Sequence, residues 1–475
     1  MFLDSWPVLA AAALFILIST NLIRRLRSPV ASIPGPLYTK FTSLWLMRQE
    51  FIANRRPYIH QLHEKYGPVV RLGPNEVSFS SGEAIKEIYA SGGSGYDKTE
   101  FYTLFKQFGV RTMFSTLVKG DHSQKKRYIA GQYANTNIMR PQVMSGIQDR
   151  ADVFVQQCRN SAGMSTDAYV SLHCYALDCA THHLFHPHGT HSLEREEDLR
   201  LMKELSYHNS LQRYLCQYYF PDIWNFFMKF SKPKRSPDSN DYVLKTNEQS
   251  DLGECTLLHK LQASKDFFQK TEMAAECMDH MAAGIDTTGD GLCLLMHQMS
   301  LPESQYVQKK LFEEFNQEPD KPLDELPYLD AVVKEGLRCF PPIPMSQPRY
   351  VPSGGRTIDG YFVPMGTIVS CQAWTVHRLN EAVYPNGEKF IPERWLEEKG
   401  SLERNRLYFA FSSGGRGCTG KHLAIAEMKV LLKEVYSRFT TTVADDMVGS
   451  MELSDQVISS RPLDQTCKLV FTEIK

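Results

Sequence analysis

The residues with the clearest capacity for chemistry lie near the C-terminus, in the run Phe411-Ser-Ser-Gly414-Gly-Arg416-Gly-Cys418-Thr-Gly420. Glycines let a backbone approach a large flat ligand and adopt positive φ. An amphipathic segment follows, so Cys418 stands just before a helix N-terminus, where backbone N–H groups stabilise a thiolate and lower its pKa. Arg416 supplies positive charge for a ligand carboxylate. A second group sits inside a long apolar helical stretch, Ala283-Gly284-Ile285-Asp286-Thr287-Thr288. There a mid-helix threonine diverts hydrogen bonding from the i−4 carbonyl of Ala283. Asp286 and Thr287 together form an acid and a hydroxyl able to pass protons. A third pattern is Glu335-Gly-Leu-Arg338, followed by Pro392-Glu393-Arg394-Trp395. Glu and Arg at i, i+3 share a helix face, although Glu197/Arg200 and Glu403/Arg406 have the same spacing.

The cysteine run resembles the haem-binding signature F-x-x-G-x-R-x-C-x-G of cytochromes P450. The departure is Thr419, where the family usually has an aliphatic residue. The resemblance extends in order through the long helix, the Glu-x-x-Arg pattern and the cysteine loop, and covers nearly the whole chain. It implies a mainly α (α+β) fold, a large helical domain with small β-sheets, preceded by an N-terminal transmembrane helix. It implies haem b with Cys418 as axial ligand of the iron, a thiolate that favours O–O cleavage. Phe411, Gly414 and Gly420 shape the cysteine loop. Ala283 and Gly284 leave room for dioxygen, and Asp286 and Thr287 deliver protons. Glu335, Arg338 and Arg394 match a buried ionic triad. Arg416, Arg349, and Lys126 and Arg127 with His122 resemble the cations that hold the haem propionates. LPYLDAVVKEGLR, VPSGGRTIDGYFVP and FIPERW look most like membrane-bound fungal enzymes of secondary metabolism.

The implied activity is a monooxygenase acting on a lipophilic small molecule such as a terpenoid, polyketide or alkaloid intermediate. Pocket walls are expected from Phe101–Phe114, Leu205–Phe227, Met281, Ile285, Ile343–Ser346 and Ile458–Arg461. No strand-associated GxGxxG is present, so electrons from NADPH are expected through a separate membrane-bound cytochrome P450 reductase, with cytochrome b5 as a further donor. Two other readings stay open: a haem-thiolate isomerase or dehydratase without external electrons, and a non-catalytic haem-thiolate ligand-binding module.

These groups must be positioned by a chain of 475 residues with 42% hydrophobic content, ample for a large core. With 53 Lys+Arg against 54 Asp+Glu the net charge is -1, which excludes bulk electrostatic binding of nucleic acid. The 11 cysteines include no CxxC and read as reduced, buried thiols apart from Cys418. From Ser5 to Ile23 no side chain is charged, and Arg24, Arg25 and Arg27 follow. This segment suits a helix across a ~30 Å hydrocarbon core, and the arginines place the body on the cytosolic side, at the endoplasmic reticulum membrane. Residues 5–23 are thus expected as anchor, 24–36 as a basic, proline-rich extended hinge, and 37–475 as the catalytic domain.

Helical periodicity marks Arg56–Tyr66, Glu83–Ala90, Asp149–Arg159, Leu193–Leu211, Lys265–Met299, Pro302–Asn316, Tyr328–Phe340 and Ala424–Phe439. Short strands are expected at Val69–Leu72, Glu76–Ser80, Thr357–Val363, Thr367–Gln372 and Lys468–Phe471. The histidines His182, His183, His186, His188 and His191 complete no recognisable metal-ligand set. Lys232–Arg235 reads as a solvated or membrane-facing turn.

Overall fold

A computed structural model describes residues 6–90, 95–207, 210–230 and 236–474. The basic run at Lys232–Arg235 lies outside the described residues. The long helix Lys270–Ser300 is the axis of the molecule. Its 31 residues span about 46 Å at 1.5 Å per residue. It begins later than the hydrophobic pattern suggests, because Gln269 and Glu272 form a reciprocal capping box. Pro302, just past the end, cannot extend it.

Against it packs Ala168–Phe185, a helix that periodicity does not reveal. Sixteen of its 18 residues are buried. A helix covered on every side has no polar face, so it shows no amphipathic period. Pro141–Asn160, Pro327–Cys339 and Lys421–Tyr436 complete the helical body. Most of their apolar faces enter one continuous core with the long helix.

The expected helix Leu193–Leu211 is two: Glu196–Ser206 and Leu211–Tyr219. The first stops at Ser206, whose carbonyl accepts from Arg461 Nη1 and Gln465 Nε2, both at 2.9 Å. Side-chain donors from the C-terminal hairpin thus take a helix-end carbonyl, one of the usual ways of ending a helix.

A five-stranded sheet lies to one side, in the order Val69–Gly73, Glu76–Phe79, Ile368–Cys371, Arg349–Tyr350, Asp97–Lys98. Its last pairing sets Lys98 opposite Arg349. Thr357–Val363 is a hairpin turning at Asp359–Gly360, with strands Arg356–Ile358 and Tyr361–Val363.

At the N-terminus the helix runs Trp6–Arg27, and Leu9–Arg27 is long and apolar enough to cross a membrane. The arginines expected in the hinge therefore continue the helix. The chain breaks at Ser28, whose side chain accepts from Val30 N–H, and Pro29–Ser32 forms a 3-10 turn rather than an extended strand. Proline is tolerated there because the first turn needs no N–H from it. Arg71 clasps this segment, donating to the carbonyls of Ala31, Ile33 and Pro36.

The C-terminal hairpin, Leu453–Asp455 with Ser460–Pro462, is tied to helix Arg55–Tyr66 by a buried pair. Arg56 Nε stands 2.7 Å from Asp455 Oδ1. Arg56→Met leaves the Asp455 carboxylate buried without its cation, and a loss of about 3–5 kcal/mol is expected. Chemical denaturation checks this, with Arg56→Met/Asp455→Asn expected to recover part of the loss. Wild-type stability in the single variant would contradict it.

Candidate active site

Cys418 sits two residues before Gly420, the cap of helix Lys421–Tyr436. Its N–H donates to Phe411 O at 2.9 Å, closing the loop on itself. Gly414 has φ +67, and a methyl there would stand 2.1 Å from Tyr89 O. Only glycine fits that approach. The Cys418 thiol keeps open surface although protein surrounds it. Burial pushes its thiol up, against the N–H groups of Gly420 and Lys421 and the charges of Lys126 and Lys421. The lowering expected from the helix end is thus outweighed by desolvation in the metal-free protein.

Ala283 is exposed and Ala282, Gly284, Asp286 and Thr287 are part-buried, while Met281 and Ile285 on the other face are buried. Gly284 packs on Ala180, where a methyl would come within 2.9 Å. Thr287 Oγ1 donates to Ala283 O at 2.7 Å. Asp286 Oδ1 accepts from Ser206 Oγ at 3.1 Å. Burial, then the charge of Asp290, lift Asp286 to about 7. Met281 and Ile285 are packed into the core rather than open to the cavity, because they occupy the opposite face of the helix.

The cations divide. Arg349 Nη1 donates to the Tyr102 hydroxyl at 2.8 Å, and Arg416 Nη2 to Leu117 O at 2.8 Å. Arg416 Nε and Nη1 are buried without partners. Burial and then Arg349 pull Arg416 down to about 10. Lys98, opposite Arg349 on the sheet edge, joins this group; burial, Arg349 and Arg416 hold it well below the usual lysine range. His122, pushed down to about 3, faces the same cations. Lys126 instead donates to Gly415 O on the cysteine loop, at 3.0 Å. Arg127 is exposed and is not brought to the site, since the next residue on a helix points roughly 100° away.

Glu335 is 0% exposed and accepts five hydrogen bonds. Arg338 Nε and Nη2 each approach to 2.8 Å, Arg394 Nε to 3.0 Å, Trp395 Nε1 to 2.8 Å and Ile391 N to 2.9 Å. Trp395 was legible as the residue after Arg394 but carried no sign of this bond. Nor did sequence point to His377. Its Nε2 accepts from Phe409 N–H at 2.8 Å, so Nδ1 carries the proton and donates to Arg338 O at 3.0 Å. Burial and the two neighbouring arginines hold it at about 3.

Glu427 is a further buried acid that sequence reasoning missed. It accepts from Thr288 Oγ1 at 3.2 Å, and burial lifts it to about 8. The pocket expectation is met unevenly. Phe101, Tyr102, Phe105 and Phe114 form an edge-to-face cluster, and Phe101 meets Tyr218. By contrast, Ile223, Phe226 and Phe227 face outward, because helix Pro221–Met228 buries no residue. The histidines form no single cluster: His182 and His186 pack on each other at 4.6 Å, His183 packs on Tyr133, His188 pairs with Asp251, and His191 with Glu194.

Comparison with known proteins matches the family model Cytochrome P450 across residues 33–467. The chain is a cytochrome P450. It is similar to the cytochrome P450 monooxygenase orf2 of Aspergillus niger, with 30% identity covering 91% of this chain and 90% of the relative. The monooxygenase stcB of Emericella nidulans is 28% identical, with 94% and 89% covered. Benzoate 4-monooxygenase bphA of Aspergillus niger is 26% identical, with 90% covered in each. The enzyme is therefore an oxidoreductase of the monooxygenase class.

Membership in the P450 family implies haem, and the residues fit it. Cys418 on the loop and Ala283 on the long helix both keep open surface. The buried, partly unpartnered Arg416, with Arg349 and Lys98, forms a cationic edge that calls for carboxylates.

His377 makes this P450 acid-sensitive. Its folded pKa lies below the ordinary value, so its stabilisation is complete above pH 6.5 and shrinks as pH falls toward about 3. Denaturant midpoints of wild type and His377→Gln are expected to converge over that window. Parallel curves would show that His377 does not govern the acid limb.

Proposed function

We propose that this P450 oxidises a lipophilic secondary-metabolite intermediate of terpenoid, polyketide or alkaloid type. Electrons come from NADPH through a separate cytochrome P450 reductase, with cytochrome b5 as an additional donor. The carrying observation is the Cys418 loop, closed at Phe411 O and supported by the Gly420 and Lys421 N–H groups, beside a partly unpartnered buried Arg416. Residues 5–23 serve as a single-pass anchor in the endoplasmic reticulum membrane, residues 24–36 lead from it, and residues 37–475 form a cytosolic catalytic domain. The apolar, unburied helix Leu9–Arg27 with its terminal arginines supports this arrangement.

Cys418 would hold the haem iron. Arg416 and Arg349, with Lys98 beside them, would hold the propionates, and Lys126 steadies the loop through Gly415. Haem, when bound, supplies the reduction of dioxygen and the transfer of one oxygen atom to substrate. Everything else is done by side chains. Ala283 and Gly284 keep the helix surface low beside the reacting centre. Asp286, held near half-protonation at neutral pH, releases a proton toward Thr287 Oγ1. Thr287 already donates to Ala283 O, and it swings its hydroxyl between that carbonyl and the cavity. The aromatic cluster Phe101–Phe114 excludes water and holds an apolar substrate.

The carbon monoxide difference spectrum of the reduced protein tests the ligand. Wild type is expected to give the strongly red-shifted Soret band of a thiolate trans to CO, and Cys418→Ser to lack it. Turnover should require a competent reductase. Correctly folded, haem-loaded wild type without the band would overturn the assignment, and product formed without electrons would mark an isomerase or dehydratase.

A further inference from the structure

The long helix carries a second carboxylate, Asp290, one turn beyond Asp286 and 3% exposed. Residues at i and i+4 lie on one face. Asp290 Oδ1 is buried without a hydrogen-bond partner, and so is His173 Nε2. These two atoms face each other at 3.5 Å. His173 lies on helix Ala168–Phe185 and is wholly buried. Its Nδ1 is 2.8 Å from Tyr169 O. A carbonyl only accepts, so Nδ1 carries a proton and Nε2 is the atom that gains or loses another. Gly289 makes the contact possible, since a methyl there would stand 2.8 Å from His173 Cδ2.

A polar chain leads outward from the two acids. The Tyr169 hydroxyl stands beside Asp290 and accepts from Gln465 Nε2 at 3.0 Å. Tyr207, 40% exposed, donates to Gln465 O at 3.3 Å. On the inner side, Ser206 joins Asp286 to the same hairpin, its carbonyl holding Gln465 and Arg461. The groups facing the acids are therefore His173 and Tyr169 from one helix, Ser206 from a second and Arg461 from the hairpin, with Cys293 further along the long helix.

Two buried carboxylates this close do not both ionise readily. Burial pulls His173 down, but the facing Asp290 carboxylate, helped by Asp286, more than reverses it. A proton is thus held between His173 Nε2 and Asp290, within one helical turn of Asp286.

We propose that the Asp290–His173 pair is a buried proton store that recharges Asp286 after Asp286 has given its proton to Thr287. The proposal rests on the functional reading above and extends it. Asp286 loses one proton and becomes a carboxylate. One proton leaves the His173–Asp290 pair and restores it. Solvent then returns one proton to the pair, and no electrons move. His173 and Asp290 act through Asp286 and are positioning residues.

The test uses full-length holoenzyme carrying Asp290→Asn, His173→Gln, Asp286→Asn, or Asp286→Asn/Asp290→Asn. The first readout needs no turnover: the carboxylic-acid infrared band that disappears in Asp286→Asn is titrated against pH. Asp290→Asn should lower its midpoint by about one unit, and His173→Gln should raise it. The second is NADPH consumption with a reductase and no added substrate. Asp290→Asn should slow it about tenfold and move its pH profile. The double variant should be no slower than Asp286→Asn alone, as for groups acting in series. An unmoved midpoint in both variants, or losses that multiply in the double variant, overturns the proposal. Should His173→Gln fail to take up haem, Asp290→Asn and the double variant decide. A normal thiolate band in the CO spectrum with multiplying losses sinks only the proton store; loss of that band in wild type sinks the functional reading itself.

Discussion

The position of the reactive sulfur depends on one buried carboxylate. Glu335 is held by donors from its own helix and from the segment Ile391–Trp395. A carboxylate so deeply desolvated is tolerated only because two guanidinium groups and two further N–H donors saturate it. The charge pair then acts at a distance through backbone. Arg338 O orients His377, His377 Nε2 fixes Phe409 N–H, and Phe411, two residues on, receives the Cys418 N–H. Arg338 also gathers the carbonyls of His377, Gly387 and Lys389. A thiolate ligand needs a fixed sulfur, and here a chain of directional bonds fixes it.

The opposite wall follows a different logic. The long helix carries Glu276, Asp279, Asp286 and Asp290 within an apolar body. Each is costly to bury. Glu276 has Lys125 and the Met113 N–H beside it, and burial still raises it. Burial raises Asp279, Asp286, Asp290 and, on a neighbouring helix, Glu427 as well. The acids beside Thr287 and Thr288 are thus left able to hold protons at neutral pH.

Where sequence reading failed, it failed for identifiable reasons. Ala168–Phe185 has no polar stripe because it is surrounded. The break after Ser206 comes from Arg461 and Gln465, more than 250 positions away. Arg127 reads as well as Lys126 in a basic run, and only the direction of each side chain separates them. Lys98 gives no local signal at all: it becomes part of the cationic edge because strand register sets it opposite Arg349. The aromatic residues of Pro221–Met228 resemble pocket residues in composition, yet Phe226 and Phe227 are exposed.

By itself the sequence determined the chemistry. The cysteine among glycines, the acid–hydroxyl pair in an apolar helix, the Glu-x-x-Arg pattern and the apolar N-terminal segment are each local, and each is set by residue type and short spacing. Tertiary structure decided which groups meet. It chose Lys98 over Arg127, gave Glu335 its tryptophan, made His377 a neutral link, and set His173 against Asp290. Those partners come from segments far apart in the chain. Burial and charge, which fix their protonation, are properties of the assembled neighbourhood and not of any segment.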